Sequence, residues 1–159
     1  MITPLPDFAR WSLRMPPATA ERLREVGGFP IGMPINRCAS ANGKIAARLG
    51  PDEWLLCAPP DTAGFNLEGE HHALVDVSHR YVAFGIDGAQ APILLAAGCP
   101  LDLHPAAFTA GSATRTLLGK AEIVLWRPDD APLYRVECAR SFAPYVLSFL
   151  REAARELAD

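Results

Sequence analysis

Residues 75–105 read VDVSHRYVAFGIDGAQAPILLAAGCPLDLHP, and the succession of strand, turn, helix and loop within them decides the architecture. Val82, Phe84 and Ile86 alternate with Tyr81, Ala83 and Gly85, the period of two that marks a strand with one buried face. Asp87 and Gly88 break that strand and bring groups able to start a helix. From Ala89 the chain is small and aliphatic, with Ile93, Leu94 and Ala97 on one stripe, until Gly98 and Pro100 end it in the usual order. Pro92 has no N–H and fits only a first turn, so the helix must begin close before it.

Working outward, Ala9 to Arg14 reads as a strand stopped by Pro16 and Pro17, and Thr19 can cap a brief helix through Val26. Phe29 to Gly43 is rich in Gly, Pro and Asn and reads as loop, with Asn42 and Gly43 as a hairpin turn. Ile45 to Leu49 and Trp54 to Ala58 form a tight antiparallel pair, and His72 to Val77 is a further strand. On the other side, Thr114 to Leu118 and Ala121 to Trp126 are strands split by Gly119 and Lys120. Tyr134, Val136 and Cys138 then face inward on a strand whose outer face carries Arg135 and Glu137. Ser141 caps a last helix with Pro144 in its first turn, and Phe142, Val146, Phe149, Leu150, Ala153 and Leu157 make its apolar stripe.

The two halves share an order of elements without a repeat at residue level. The reading is an α+β chain of two fused ferredoxin-like, split βαβ, two-layer lobes, residues 1–72 and 73–159. No disordered linker divides them, so they are expected to dock as one compact body.

A chain of 159 residues with 50% hydrophobic and 21% charged residues has ordinary globular composition. Fifteen basic against 18 acidic residues leave a net charge of −3, which gives no pull toward nucleic acid or anionic lipid. No apolar run approaches the roughly 20 residues of a membrane-spanning helix. The first residues, with Pro4, Pro6 and Asp7, do not read as a signal peptide. Cys38, Cys57, Cys99 and Cys138 stand far apart, as buried thiols in a reducing compartment do. The expected location is the cytoplasm.

Chemistry is sparse. Asp129 and Asp130 lie in a proline-flanked turn, and Asp52 and Glu53 at a hairpin bend, where solvation and local hydrogen bonding explain both pairs. His71 and His72, adjacent on a strand, would point to opposite faces and could not share a metal ion. Ser78 and His79 lack the elbow of a nucleophile, and His104 reads as a loop residue. Gly27, Gly28 and Gly32 match neither dinucleotide nor Walker spacing, so no flavin or nicotinamide is expected to bind this chain alone. Catalytic and metal-binding residues are expected to be absent.

The central stretch resembles the folate-binding domain of the glycine-cleavage T-protein, or aminomethyltransferase, through Asp76 to His79 (DVSH) and the strand, helix and hairpin that follow. Four ordered segments resemble the gamma subunit of heterotetrameric sarcosine oxidase more closely: LGPDEWLL (49–56), GCPLDLHP (98–105), TRTLLGKAEIVLWR (114–127) and RSFAPYVLSFL (140–150). That resemblance covers residues from Ala46 onward. It implies a T-protein-like fold and an accessory subunit of a complex that demethylates sarcosine to glycine. FAD, FMN, NAD and tetrahydrofolate would be held by alpha, beta and delta partner subunits, and the isolated chain could self-associate. The T-protein acidic pair that handles folate corresponds here to Ala121 and Glu122, so Glu122 is the single folate-like candidate. The alternative is a stand-alone folate-binding, aminomethyltransferase-like protein. Trp54, Trp126, Arg140, Phe142 and Tyr145 are the residues expected to meet a partner, on an exposed apolar patch of more than a few hundred square ångströms.

Overall fold

The structure, a computed structural model, describes residues 1–157. It divides into two units, residues 7–78 and residues from His79 onward joined by residues 1–6. The expected boundary after residue 72 thus lies six residues before the observed one, and the first six residues belong with the carboxy-terminal unit.

The chain begins with β1 (Ile2–Pro4) of the carboxy-terminal unit and then builds the amino-terminal unit without interruption. That unit holds β2 (Ala9–Arg14), α1 (Pro17–Leu23), β3 (Glu25–Val26), β4 (Phe29–Pro30), β5 (Arg37–Ala41), β6 (Lys44–Gly50), β7 (Glu53–Ala58) and β8 (Ala73–Asp76). Its sheet runs β5-β6-β7-β2-β8, antiparallel throughout, and β3 and β4 form a small separate ladder. Asn42 and Gly43 both take left-handed backbone angles, φ 51° and 78°, in the two-residue turn from β5 to β6. This is the turn whose twist suits a hairpin. The helix α1 starts two residues before Thr19 because Pro17, which needs no N–H partner, occupies its first turn.

The carboxy-terminal unit follows with a 3₁₀ turn (Ser78–Arg80), β9 (Tyr81–Asp87), α2 (Ala91–Ala96), β10 (Ser112–Leu118), β11 (Ala121–Arg127), β12 (Leu133–Ala139), a second 3₁₀ turn (Arg140–Phe142) and α3 (Ala143–Glu156). Its antiparallel sheet runs β10-β11-β12-β9-β1. The two units therefore share one plan: strand, helix, three-strand meander back to the first strand, and one added strand. β1 precedes β2 in the chain yet pairs with β9, whereas β8 precedes β9 yet pairs with β2.

The α+β class and the two-layer lobes are as the sequence suggests. The connectivity differs in one respect from a split βαβ unit, because the strand after each helix lands at the far edge and the meander closes antiparallel on the first strand. The helix α2 buries Ala91, Leu94 and Leu95 and leaves Ile93 exposed, so its stripe is rotated from the expected one. Helix α3 buries Val146, Leu150 and Ala153 against the sheet, on the stripe its sequence lays out.

Arg135 and Glu137 do not face solvent as their alternation with Val136 suggests. Glu137 is fully buried, Arg135 Nε donates to Glu137 Oε1 at 2.6 Å, and the Arg135 guanidinium lies over the Trp126 ring. Both faces of β12 are withdrawn from water, and on the charged face the two groups pair with each other.

Candidate interaction surfaces

The DVSH tetrapeptide is a joint rather than a reactive group. Asp76 Oδ1 accepts the Ser78 N–H at 2.9 Å, the local turn for which Asp is suited. Ser78 Oγ accepts the Arg10 N–H at 2.9 Å, which fixes the end of β8 to β2. The His79 carbonyl accepts Arg140 Nε at 2.9 Å, tying one 3₁₀ turn of the carboxy-terminal unit to the other. The serine oxygen is thus engaged by backbone, as the absence of an elbow around it suggests.

Three of the segments that carry the family resemblance meet at one end of the carboxy-terminal sheet. Gly119 N donates to Gly98 O at 2.9 Å, joining the hairpin tip between β10 and β11 to the end of α2. A Cβ on Gly98 would overlap the Phe149 ring of α3 and come within 2.9 Å of Gly119 N. A Cβ on Gly119, whose φ is 58°, would overlap Tyr145 Oη. Tyr145 Oη in turn accepts the Lys120 N–H at 3.0 Å, and its ring rests 6.3 Å from that of Phe149. Glycine is required at both positions because helix and hairpin backbones approach so closely. The clasp presents Arg140, Phe142 and Tyr145 at the surface, with Phe142 44% and Tyr145 36% exposed.

The two tryptophans expected beside them are withdrawn instead. Trp54 and Trp126 are both fully buried; Trp54 Nε1 donates to Ile31 O at 3.1 Å, with the Arg48 guanidinium 4.9 Å from its ring. Their size favours the core, and neither ring reaches the surface. Glu122 is largely exposed on β11 and pairs with Arg115 at 3.5 Å, outside any cavity described. Ile93, expected on the buried stripe of the helix, instead lines an apolar groove of about 410 Å³ with Pro92, Ala96, Leu103, His104 and Pro105. The rotation of α2 was the missing signal.

Several polar groups elsewhere are structurally committed. Arg14 donates to both oxygens of Asp52 at 3.2 and 3.1 Å, Asp129 accepts the Ala131 N–H, and His104 Nδ1 accepts the Ala106 N–H. The glycine cluster at 27–32 is filled by the chain itself. Lys44 Nζ donates to Gly27 O at 2.6 Å, and a Cβ on Gly27 would run into the Phe65 ring, which leaves no cradle for a phosphate. Burial pushes the Cys138 thiol up to about 11, with the Glu137 charge adding to the effect, and it pushes the Tyr134 phenol up against the pull of Arg127. Among the described residues no three His, Cys, Asp or Glu side chains come together as a metal site, and no helix is long and apolar enough to cross a membrane.

This two-lobe α+β architecture is that of the aminomethyltransferase type. The glycine cleavage system aminomethyltransferase T from Bartonella henselae has the same fold, with a TM-score of 0.66 at 14% identity over 94% of this chain and 44% of that one. A chain of the heterotetrameric sarcosine oxidase from Corynebacterium sp. U-96, solved in complex with pyrrole 2-carboxylate, is more similar. Its TM-score is 0.86 at 25% identity over 100% of this chain and 85% of that one. The sarcosine oxidase subunit gamma of Arthrobacter sp. is 30% identical over 155 residues, covering 92% of this chain and 76% of the relative. That of Corynebacterium sp. strain P-1 is 33% identical over 128 residues, 76% of this chain and 61% of the relative. The model of the sarcosine oxidase, gamma subunit family matches residues 15–156. The chain belongs to that family, and the match extends 31 residues ahead of Ala46, where the quoted segments begin.

Proposed function

We propose that this chain is the non-catalytic gamma subunit of a flavin-dependent sarcosine oxidase complex that oxidatively demethylates sarcosine to glycine in the cytoplasm. The larger alpha and beta subunits, with a delta subunit, are its partners, and FAD, FMN, NAD and tetrahydrofolate are held by them. The observation that carries the reading is the likeness, over the whole of this chain and 85% of the other, to a chain of a heterotetrameric sarcosine oxidase. The chain's own residues support it. Its glycine cluster is filled, its DVSH serine is hydrogen-bonded into the backbone frame, and the exposed Tyr145 is fixed at one sheet end by the Lys120 N–H.

Co-expression with the neighbouring oxidase subunits, followed by size exclusion, tests the proposal. One co-eluting complex is expected, and elution of this chain alone at mild salt contradicts it. The stand-alone folate reading keeps Glu122 as its motive, although that carboxylate is paired with Arg115. Calorimetric titration of the isolated chain with tetrahydrofolate is expected to give no heat at millimolar ligand, and saturable heat would favour the folate reading.

A further inference from the structure

We propose that residues 59–72 of the amino-terminal unit are a strap that opens locally while the sheet beneath stays folded, with Phe65 as its latch over an aromatic slot. The proposal does not depend on the subunit role above. Connectivity is the first argument. β7 and β8 both pair antiparallel with β2, so they run parallel to each other. Ala58 ends β7 beside Ala9, and Ala73 starts β8 beside Arg14, so the fourteen residues between them must cross the whole length of β2. A crossover between parallel strands is usually a helix, which satisfies its own backbone as it covers the sheet. Here it contains neither helix nor strand. A connection this long without secondary structure is commonly a functional element such as a lid.

The fastenings are the second argument. Among the described residues, the backbone–backbone hydrogen bonds of the strap are internal to it, Thr62 N to Pro59 O at 3.0 Å and Glu70 N to Leu67 O at 3.2 Å. Side chains do the holding. The Phe65 ring lies 6.0 Å from that of Trp11 and 5.7 Å from that of Phe29, over Gly27, where a Cβ would run into it. Leu67 packs partly buried on the same core, and at the surface Arg22 Nη2 donates to both oxygens of Glu70 at 2.7 Å. An exposed ion pair adds little and is screened by salt, so closure rests chiefly on Phe65 and Leu67. Gly64 and Gly69 have open space where a Cβ would stand, so neither is wedged in place. Few buried contacts and a backbone unshared with the sheet put a segment at the low end of local stability. Lifting Phe65 out uncovers the buried Trp11 and Phe29 rings beside the Lys44 ammonium, which lies 5.2 Å from the Phe29 centroid. Part of the core thereby becomes an open aromatic slot.

Chymotrypsin cleavage of the native full-length chain tests this, because the protease must draw the Phe65 side chain from its slot to cut after it. The rate at that bond is referred to the same bond in a synthetic peptide of residues 58–73 and followed through urea concentrations below the unfolding transition. Global opening exposes far more surface than lifting a strap, so it alone accelerates steeply with urea. The expected result is a cut after Phe65 that is slower than in the peptide and nearly independent of low urea. Leu67→Ala/Glu70→Gln, which keeps the cleaved bond and loosens the fastenings, should raise that rate at least about fivefold. In Phe65→Ala, acrylamide should quench tryptophan fluorescence about twofold more steeply than in wild type, as Trp11 loses its cover. A cut whose urea dependence follows global unfolding overturns the proposal, because the strap then has no opening of its own. So does a native rate equal to that of the peptide, which would mean no closed state, or a rate that Leu67→Ala/Glu70→Gln leaves unchanged. Should Phe65→Ala fail to fold, the chymotrypsin comparison decides alone.

Discussion

The two units share a strand order and differ in what fills them. Residues 7–78 close their sheet with one seven-residue helix and with aromatic loops; Trp11, Phe29 and Phe65 meet with ring centroids 5.7–6.0 Å apart, and Trp54 is locked to Ile31. The carboxy-terminal unit packs two helices over a mainly aliphatic core that also holds Phe84, Phe108 and Tyr134, and a glycine clasp sets how closely helix and hairpin approach. The same topology is thus reached chiefly by filling space with rings in one case and, in the other, by bringing helix and hairpin backbones together beside a mainly aliphatic core. The second solution tolerates less change at particular positions, which is a physical reason for three of the four resemblance segments to lie in the carboxy-terminal unit.

If that contrast is right, substitutions should break the units in different ways. The largest effect is expected from Trp54→Ala, a loss of about 3–5 kcal/mol from an emptied aromatic core. Hydrogen exchange should show the opening concentrated in residues 7–78; protection lost uniformly along the chain would contradict the contrast. Leu150→Ala, under the aliphatic sheet, is expected to cost about 2–5 kcal/mol by denaturant titration. Gly98→Ala sharpens the point. Adding one methyl group should destabilise by about 1–3 kcal/mol, and Phe149→Ala should relieve part of that cost in a double-mutant cycle, whereas additive effects would refute the clasp. Tyr145→Phe, which removes the acceptor of the Lys120 N–H, is expected to cost about 0.5–1.5 kcal/mol. Smallest of all, Glu122→Gln on the surface should stay within about 0.5 kcal/mol.

The Cys138 thiol provides a pH reading of the aliphatic unit. Its folded value, about 11, lies above the ordinary 9.0, so its contribution to stability is complete below pH 9 and is lost as pH rises through 11. Thiol labelling of the native chain at pH 8 should therefore be slow at this residue and fast after unfolding. Rapid native labelling of Cys138 would show the core to be open.

Much of this was readable from residues, and the misses have causes. Ala9 to Arg14 and Tyr81 to Ile86 announce themselves by alternation, and Asn-Gly and Gly-Lys mark their turns because local backbone angles suffice there. The sequence of β5 reads as loop because Arg37–Ala41 lacks β-branched or aromatic residues, and its pairing with β6 supplies what propensity does not. Arg135 and Glu137 were read as outward because alternation assumes one wet face, and β12 has none. For the candidate surface, Arg140, Phe142 and Tyr145 stand exposed at the start of the last helix, a position the sequence already gives them. Trp54 and Trp126 are buried, which the sequence does not show because an aromatic residue does not declare which side of a strand it occupies. The pairing of β1 with β9 and of β8 with β2 is non-local, and no pattern within either strand encodes it.

The central claim is that this chain acts by joining larger subunits and carries no cofactor of its own. Native mass spectrometry of the co-expressed assembly tests it most directly. The account predicts a complex from which collisional activation releases this chain at its bare mass, 17.2 kDa. A chain that flies alone, or that leaves with the added mass of a flavin or a folate, would contradict it.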